Sequence, residues 1–214
     1  MYVDDLDTPV LYEFGDGMKV IKSYNEMNSL SPKVIRAVLS DVDKLYPSKE
    51  KGLILWSHGT GWINVEYSRS RSFGQDSGET INLSDLSTAL PSHYDYIIFD
   101  ACYMSSIEML CEMKLNADYI VGSPCVVPSD GIISVKSIMS LLNEMPLLGR
   151  LRSVCDIFIN EHKNYRKDIS ISVCRTIGIY KLINEIKKVN TFDLSEEIIS
   201  QIPSYRYNGN RVFF

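Results

Sequence analysis

Two uninterrupted apolar segments most constrain what this chain can fold into. They cover Gly52–Ser57 and Tyr94–Asp100, and each has the length of one β-strand. Continuous apolar character, in place of the alternation seen in half-exposed strands, is typical of parallel strands that helices cover on both faces. The sequence therefore predicts a parallel sheet in which these two segments are buried.

Segments with the apolar spacing of helices alternate with the strands. Residues 32–46 show the spacing most clearly, after a candidate N-cap at Ser31 and with Pro32 in the first turn. Further helices are expected near residues 83–90, 105–115, 135–144, 147–163, 177–189 and 194–202, further strands at 118–123 and 169–174, and a long loop at 63–80. This alternation predicts one α/β domain with a mostly parallel sheet and helices on both faces.

The charge balance and the cysteine count argue against several classes of protein. The formal net charge is −5 without a basic cluster, which argues against nucleic acid as the main partner. No apolar stretch approaches the length of a membrane-spanning helix. The five cysteines are widely spaced and include no C-x-x-C pair, so they predict neither a disulfide framework nor a zinc site, and no other metal site is predicted.

Two reactive side chains follow the two apolar segments. His58 comes directly after the first segment, and Cys102 lies two residues past the second. Sites in parallel α/β sheets lie beyond the carboxyl ends of the strands, so the two side chains are expected at the same sheet edge. Taken singly, His58 is explained by a glycine-rich turn and Cys102 by a buried, inert thiol. Their matched placement favours a pair in which an imidazole exchanges protons with a thiol.

The residues around this pair carry a family resemblance. The blocks LILWSHGTGW (53–62), YIIFDACYM (96–104) and ADYIVGS (117–123) resemble the clostripain family of cysteine peptidases, which belongs to the caspase-like clan. The resemblance is to the members found in Bacteroides-type bacteria, and it covers most of the chain. It implies a caspase-like α/β/α sandwich and a single peptidase domain over residues 1–214.

The resemblance implies a role for each residue of the pair. Cys102 is expected as the nucleophile and His58 as the general acid/base of a cysteine endopeptidase that acts through a thioester acyl-enzyme. The backbone N–H groups of Gly59 and Cys102 are expected to form the oxyanion hole, where fixed donors stabilise the developing charge. No cofactor is expected to be required. Calcium stimulates some relatives, so Ca²⁺ stimulation is implied by the resemblance alone.

Two acidic residues are candidates for substrate recognition. Asp100 shares a side of the extended chain with Cys102, because residues i and i+2 point the same way, and Asp130 follows the third strand on the same side of the sheet. Carboxylates favour a cationic side chain, which fits the family's preference for cleavage after Arg or Lys. The alternatives are a turn-stabilising role for Asp100 and a simple Asp-Gly turn at Asp130.

The segment after the histidine is a candidate for self-cleavage. Some family members are activated by cleavage in this loop, and here it contains Arg69 and Arg71. A merely solvated loop explains the same residues. The remaining histidines, His93 and His162, have structural explanations, a surface loop and the C-terminal end of a helix.

Compared with the family, the chain is expected to lack a preceding strand and helix and a C-terminal extension. The alternative function is therefore an inactive or incomplete caspase-like domain with a binding role. An α/β hydrolase is a further alternative, but no G-x-S-x-G elbow supports it. The resemblance implies an extracytoplasmic location, secreted or as a lipoprotein, and peptide or protein substrates with Arg or Lys before the scissile bond. It does not predict an oligomeric state.

Overall fold

The structure is a computed structural model, and it describes residues 1–4, 8–61, 72–164, 169–188, 204–207 and 210–213. Its elements in chain order are β1 (Tyr2–Val3), β2 (Val10–Phe14), β3 (Met18–Ser23), α1 (Pro32–Leu45), β4 (Gly52–Trp56), β5 (Ser72–Asp76), β6 (Glu79–Asn82), α2 (Leu83–Ala89), β7 (Tyr94–Asp100), α3 (Ile107–Met113), β8 (Ala117–Gly122), α4 (Val135–Leu141), α5 (Leu147–His162), β9 (Ser172–Arg175), α6 (Thr176–Ile186), β10 (Ser204–Tyr207) and β11 (Asn210–Phe213).

A four-stranded sheet in the order β4-β7-β8-β9 organises the chain. The first three strands run parallel, with Leu53 opposite Ile97 and Ile97 opposite Ile120, and β9 is antiparallel to β8. Helices lie on both faces, so the predicted α/β class with a mostly parallel sheet is confirmed. None of the helices in the described part of the chain is long and apolar enough to cross a membrane.

The central strand β7 is buried on both faces. Ile97 and Phe99 point into a core formed with side chains of α2, α3 and α6. Ile98, on the opposite face, packs with Leu151 and Phe158 of α5. All five of these side chains are inaccessible to solvent, as the uninterrupted apolar segment predicts.

The strand β4 differs from this prediction on one face. Leu53 and Leu55 pack against the first core, but Ile54 and Trp56 on the other face are 38% and 73% exposed. The helices α4 and α5 cover β7 and β8 on that side, and their buried residues cluster with Ile98 and Val121 instead of with β4. The expectation that both faces of this strand are covered was therefore wrong for the part of the chain that the structure describes.

Part of the segment expected as a loop forms a hairpin instead. The strands β5 and β6 pair antiparallel, with Asp76 opposite Glu79 across Ser77 and Gly78. Both turn residues have positive φ, 49° and 82°, the backbone that tight two-residue hairpin turns require. Phe73 of β5 is buried against the core, which anchors the hairpin. The helix predicted at 194–202 lies outside the described residues.

Candidate active site

The ends of β4 and β7 meet at one edge of the sheet. Trp56 lies opposite Asp100, and the Ser57 N–H approaches the Asp100 carbonyl oxygen at 3.4 Å. Two residues past each of the paired residues come His58 and Cys102. The sequence-predicted pair therefore follows neighbouring parallel strands, at the edge where α/β folds bind ligands.

The Cys102 side chain is half-buried and lies against the segment that follows β8. The Val127 N–H donates to its sulfur at 3.3 Å, and the thiol in turn approaches the Val127 carbonyl oxygen at 3.8 Å. One residue on, the Tyr103 N–H donates to the Cys125 carbonyl oxygen at 3.0 Å. These bonds fix the turn after β7 to the loop after β8 and set the position of the sulfur.

The His58 side chain is exposed, in contrast to Cys102. Its main chain is held by the hairpin, because the Gly74 N–H donates to the His58 carbonyl oxygen at 2.8 Å. Within the residues that the structure describes, the His58 ring has no hydrogen-bond or ion-pair partner, and no hydrogen bond joins it to Cys102. Hydrogen bonds of catalytic groups often form only when substrate is bound.

Gly59 brings the two turns into contact. A Cβ atom at this position would lie 2.4 Å from the Cys102 carbonyl oxygen, closer than side-chain carbons ever approach. Only glycine therefore allows the chain after β4 to lie against the chain after β7. Among the described residues, the N–H groups of Gly59 and Cys102 have no hydrogen-bond acceptor.

Asp100 is buried and holds the loop between β8 and α4. Its carboxylate oxygens accept the N–H groups of Ile132 and Ile133 at 2.6 and 3.0 Å. Burial raises the pKa of Asp100, against the effect of these two hydrogen bonds, and the nearby charge of Asp130 adds to the rise. The turn-stabilising role that the sequence left open is thus present. Each oxygen keeps a second lone pair for another donor.

Gly131 lets the loop approach that carboxylate. Its φ is +79°, and a Cβ there would lie 2.7 Å from an Asp100 side-chain oxygen. The Gly131 N–H donates to the Pro128 carbonyl oxygen at 2.9 Å and closes the turn that carries Asp130. An Asp-Gly turn is therefore formed, as one of the two alternatives from sequence expects.

Asp130 has a partner that sequence analysis missed. Its carboxylate is 73% exposed and lies 3.1 Å from Nε2 of His162, the last residue of α5, whose side chain is only 9% exposed. The His162 contact lowers the pKa of Asp130. Burial opposes the charge of His162, but its hydrogen bond to the Phe158 carbonyl oxygen and its contact with Asp130 outweigh that effect and raise the pKa of His162.

Two further predicted residues cannot be placed. Arg69 and Arg71 lie outside the described residues. Elsewhere, in the ranges that are described, no group of three or more His, Cys, Asp or Glu side chains is arranged to hold a metal ion.

Comparison with known proteins identifies the family. The sequence model of the clostripain family matches residues 7–204. A secreted C11 cysteine protease from Bacteroides thetaiotaomicron, solved in complex with an irreversible peptide inhibitor, is similar over 95% of this chain and 61% of its own, with a TM-score of 0.78 and 28% identity.

A second solved structure is an inactive zymogen C11 protease from Parabacteroides distasonis. It is similar over 94% of this chain and 57% of its own, with a TM-score of 0.73 and 27% identity. This chain thus spans about three-fifths of the length of both proteins. A search of curated proteins finds no match. The family match covers nearly the whole chain, and it shows that the chain belongs to the clostripain family of cysteine peptidases.

Proposed function

We propose that this protein is a cysteine endopeptidase that cleaves peptide and protein substrates after Arg or Lys. The observation that carries the proposal is the register between β4 and β7, which brings the chain segments of His58 and Cys102 to one sheet edge. Family membership supports the same chemistry. Because the similar protein from Bacteroides thetaiotaomicron is secreted, we also propose a location outside the cytoplasm.

In the proposed mechanism Cys102 is the nucleophile. His58 takes the thiol proton, and the sulfur attacks the carbonyl carbon of the scissile bond. The carbonyl oxygen becomes an oxyanion, to which the N–H groups of Gly59 and Cys102 donate. His58 then protonates the departing amine as the thioester forms, and water releases the acyl group. The exposure of His58 supports this role, because its ring must reach both the sulfur and the leaving group.

The acidic residues supply the proposed preference for a cationic side chain. Asp130 is exposed and presents its carboxylate at the surface of the loop after β8. Asp100 is buried and bonded to the same loop, close enough for the charges of the two carboxylates to interact. A guanidinium or ammonium group entering here would meet one exposed carboxylate and the negative charge of a second.

Hydrolysis of short fluorogenic peptides tests the proposal. Peptides that end in Arg, Lys, Asp or Leu before the reporter are compared with the purified chain, with Cys102→Ala as the control. We expect turnover after Arg and Lys only, and none in the control. Turnover after Asp or Leu would overturn the roles of Asp100 and Asp130. Turnover that survives in Cys102→Ala would overturn the nucleophile.

Self-cleavage after Arg69 or Arg71 is part of the same proposal. An enzyme that cuts after basic residues can cut its own segment, and this segment follows His58 closely in sequence. Intact mass over time should show a nick after one of these arginines in the parent protein. The same nick at the same rate in Cys102→Ala would contradict it.

One observation favours a second candidate, an incomplete caspase-like domain that binds a partner without cleaving it. The face of β4 that carries Ile54 and Trp56 is open within the described residues, next to the end of the strand that leads to His58. Absence of turnover from a folded protein that still binds an Arg peptide would favour this candidate.

A further inference from the structure

A helix C-terminus explains only part of the environment of His162. Its ring is enclosed at the end of the buried side of α5, 4.7 Å from the ring of Phe158. Nδ1 lies 2.8 Å from the Phe158 carbonyl oxygen, which can only accept, so Nδ1 carries a proton. Nε2 is buried and lies 3.1 Å from the Asp130 carboxylate, an ion-pair contact that lacks the geometry of a hydrogen bond, and among the described residues it has no hydrogen-bond partner.

The same ion pair completes the anchoring of one loop. The loop of residues 123–134 joins β8 to α4 and carries Asp130 near its middle. On one side of Asp130, Val127 is bonded to the Cys102 sulfur. On the other side, Ile132 and Ile133 are bonded to the Asp100 carboxylate. Between these two anchors, the Asp130 carboxylate contacts the His162 ring.

We propose that His162 is a positioning residue for substrate recognition. It fixes the Asp130 carboxylate, and with it the turn at 128–131, in the orientation that receives the basic side chain of the substrate. This inference rests on the proposed function, in which Asp130 contacts that side chain. His162 itself touches neither the substrate nor the reacting atoms.

The direction of the effect separates positioning from charge compensation. If His162 acted only by neutralising Asp130, its removal would leave a freer negative charge and would lower KM for an Arg substrate. If it positions Asp130, its removal lets the turn move and raises KM. Cys102 and its bond to Val127 remain in place in either case, so kcat should change little.

The test compares His162→Phe with the parent protein on an Arg peptide. Phenylalanine preserves the packing on Phe158 and removes both ring donors. We expect KM to rise by about three- to tenfold with kcat within a factor of about two, as for the loss of one partly buried ion pair. His162→Gln keeps one donor and should restore part of the loss. An unchanged or lowered KM, or an equal fall in kcat, would overturn the inference.

His93→Phe is the matched control. His93 also lies against a backbone oxygen (Leu115, 3.0 Å) and a carboxylate (Asp118, 3.1 Å), but its side chain is exposed, its carboxylate contact is a hydrogen bond, and it precedes β7 at the opposite end of the strand. This variant should leave KM and kcat unchanged. A rise in KM equal to that of His162→Phe would mean that loss of any such contact loosens the enzyme, and would overturn the specific role.

Asp130→Asn separates failure of the inference from failure of the proposed function. If Asp130→Asn leaves KM for Arg unchanged while Cys102-dependent turnover persists, the proposed role of Asp130 fails. If Asp130→Asn raises KM and His162→Phe does not, only the positioning role fails. If His162 and Asp130 act through one contact, the variant that carries both His162→Phe and Asp130→Asn should have the same KM as Asp130→Asn alone.

Hydrogen exchange supplies a readout that does not depend on turnover. In the substrate-free protein, His162→Phe should speed exchange of the amides at 129–133 several-fold relative to the parent, while His93→Phe should not. Equal protection of these amides in the parent and in His162→Phe would contradict the proposal even in a protein without activity.

Discussion

The ends of β4 and β7 lie side by side in the sheet but are held very differently. At the end of β7, Asp100 is buried with two backbone N–H groups on its carboxylate, and just beyond it Cys102 is bonded to Val127. At the end of β4, Trp56 is 73% exposed, and the His58 ring has no partner among the described residues. In the proposed mechanism, the nucleophile is fixed and the proton carrier is accessible.

The position of each strand in the sheet explains this difference. β7 has a strand on each side and helices over both faces, so the side chains of Asp100 and Cys102 near its end find partners. In the part of the chain described here, β4 has one neighbouring strand and one covered face. Contact density therefore falls from β7 to β4, and local stability is expected to fall with it.

The largest effects are expected from replacing His58 and Cys102, which should both lower activity but differ in their effect on stability. His58→Ala should lower kcat/KM by about 10²- to 10⁴-fold, the usual worth of a general acid/base, and leave the free energy of unfolding unchanged within about 0.5 kcal/mol. Cys102→Ala should abolish turnover and also cost stability, because the Val127 N–H loses its acceptor. Turnover assays and urea denaturation measure both. A loss of stability in His58→Ala that equals the loss in Cys102→Ala would break the comparison.

The contact between the two turns should be the next most sensitive feature. Gly59→Ala places a methyl group against the Cys102 carbonyl oxygen and pushes the two N–H donors apart. We expect kcat to fall by about 10²- to 10³-fold, the cost of losing one oxyanion donor. Gly17→Ala is the control, because a Cβ there meets nothing within 4 Å. Unchanged kcat in Gly59→Ala would remove Gly59 from the oxyanion hole.

A smaller effect on stability is expected at the buried carboxylate. Asp100→Asn replaces one acceptor by an amide N–H that faces a backbone donor, which should lower the free energy of unfolding by about 1 to 2 kcal/mol. Relief of the buried charge, which raises the pKa of Asp100, offsets part of the loss.

Asp95→Asn is the matched control for this variant. Asp95 also accepts one backbone N–H, from Lys51 at 2.7 Å, but near the other end of β7. It should cost stability without raising KM for an Arg substrate. Urea midpoints and KM values test the pair, and a stability loss confined to Asp95→Asn would contradict the anchoring role of Asp100.

The sequence predicts most of the fold because its strongest signals are local. The apolar segment at 94–100 becomes β7 without change, and the helical spacing after Ser31 becomes α1, Pro32–Leu45. The hairpin β5–β6 was not predicted because its strands are short and polar. Phe73 and Ile81 are the buried apolar side chains in these strands, too few to form a recognisable pattern.

The features that sequence did not predict depend on long-range packing. An apolar segment indicates a buried strand, but it does not reveal how many neighbours the strand finds, so the open face of β4 was missed. His162 and Asp130 meet only because α5 folds back over the sheet. The local signal for His162 was its place on the buried side of α5, four residues after Phe158. That pattern marks burial and does not identify the partner.

Covalent labelling tests the central claim most directly. The protein is treated with a peptidyl chloromethyl ketone that ends in Arg, and the modified cysteine is located by peptide mapping. The account predicts a label on Cys102 alone, with labelling much slower in His58→Ala. The other four cysteines serve as internal controls, since Cys125 is buried and burial raises the pKa of Cys111, Cys155 and Cys174. A label on any of those four cysteines, or labelling of Cys102 in His58→Ala at the same rate as in the parent protein, would contradict the account.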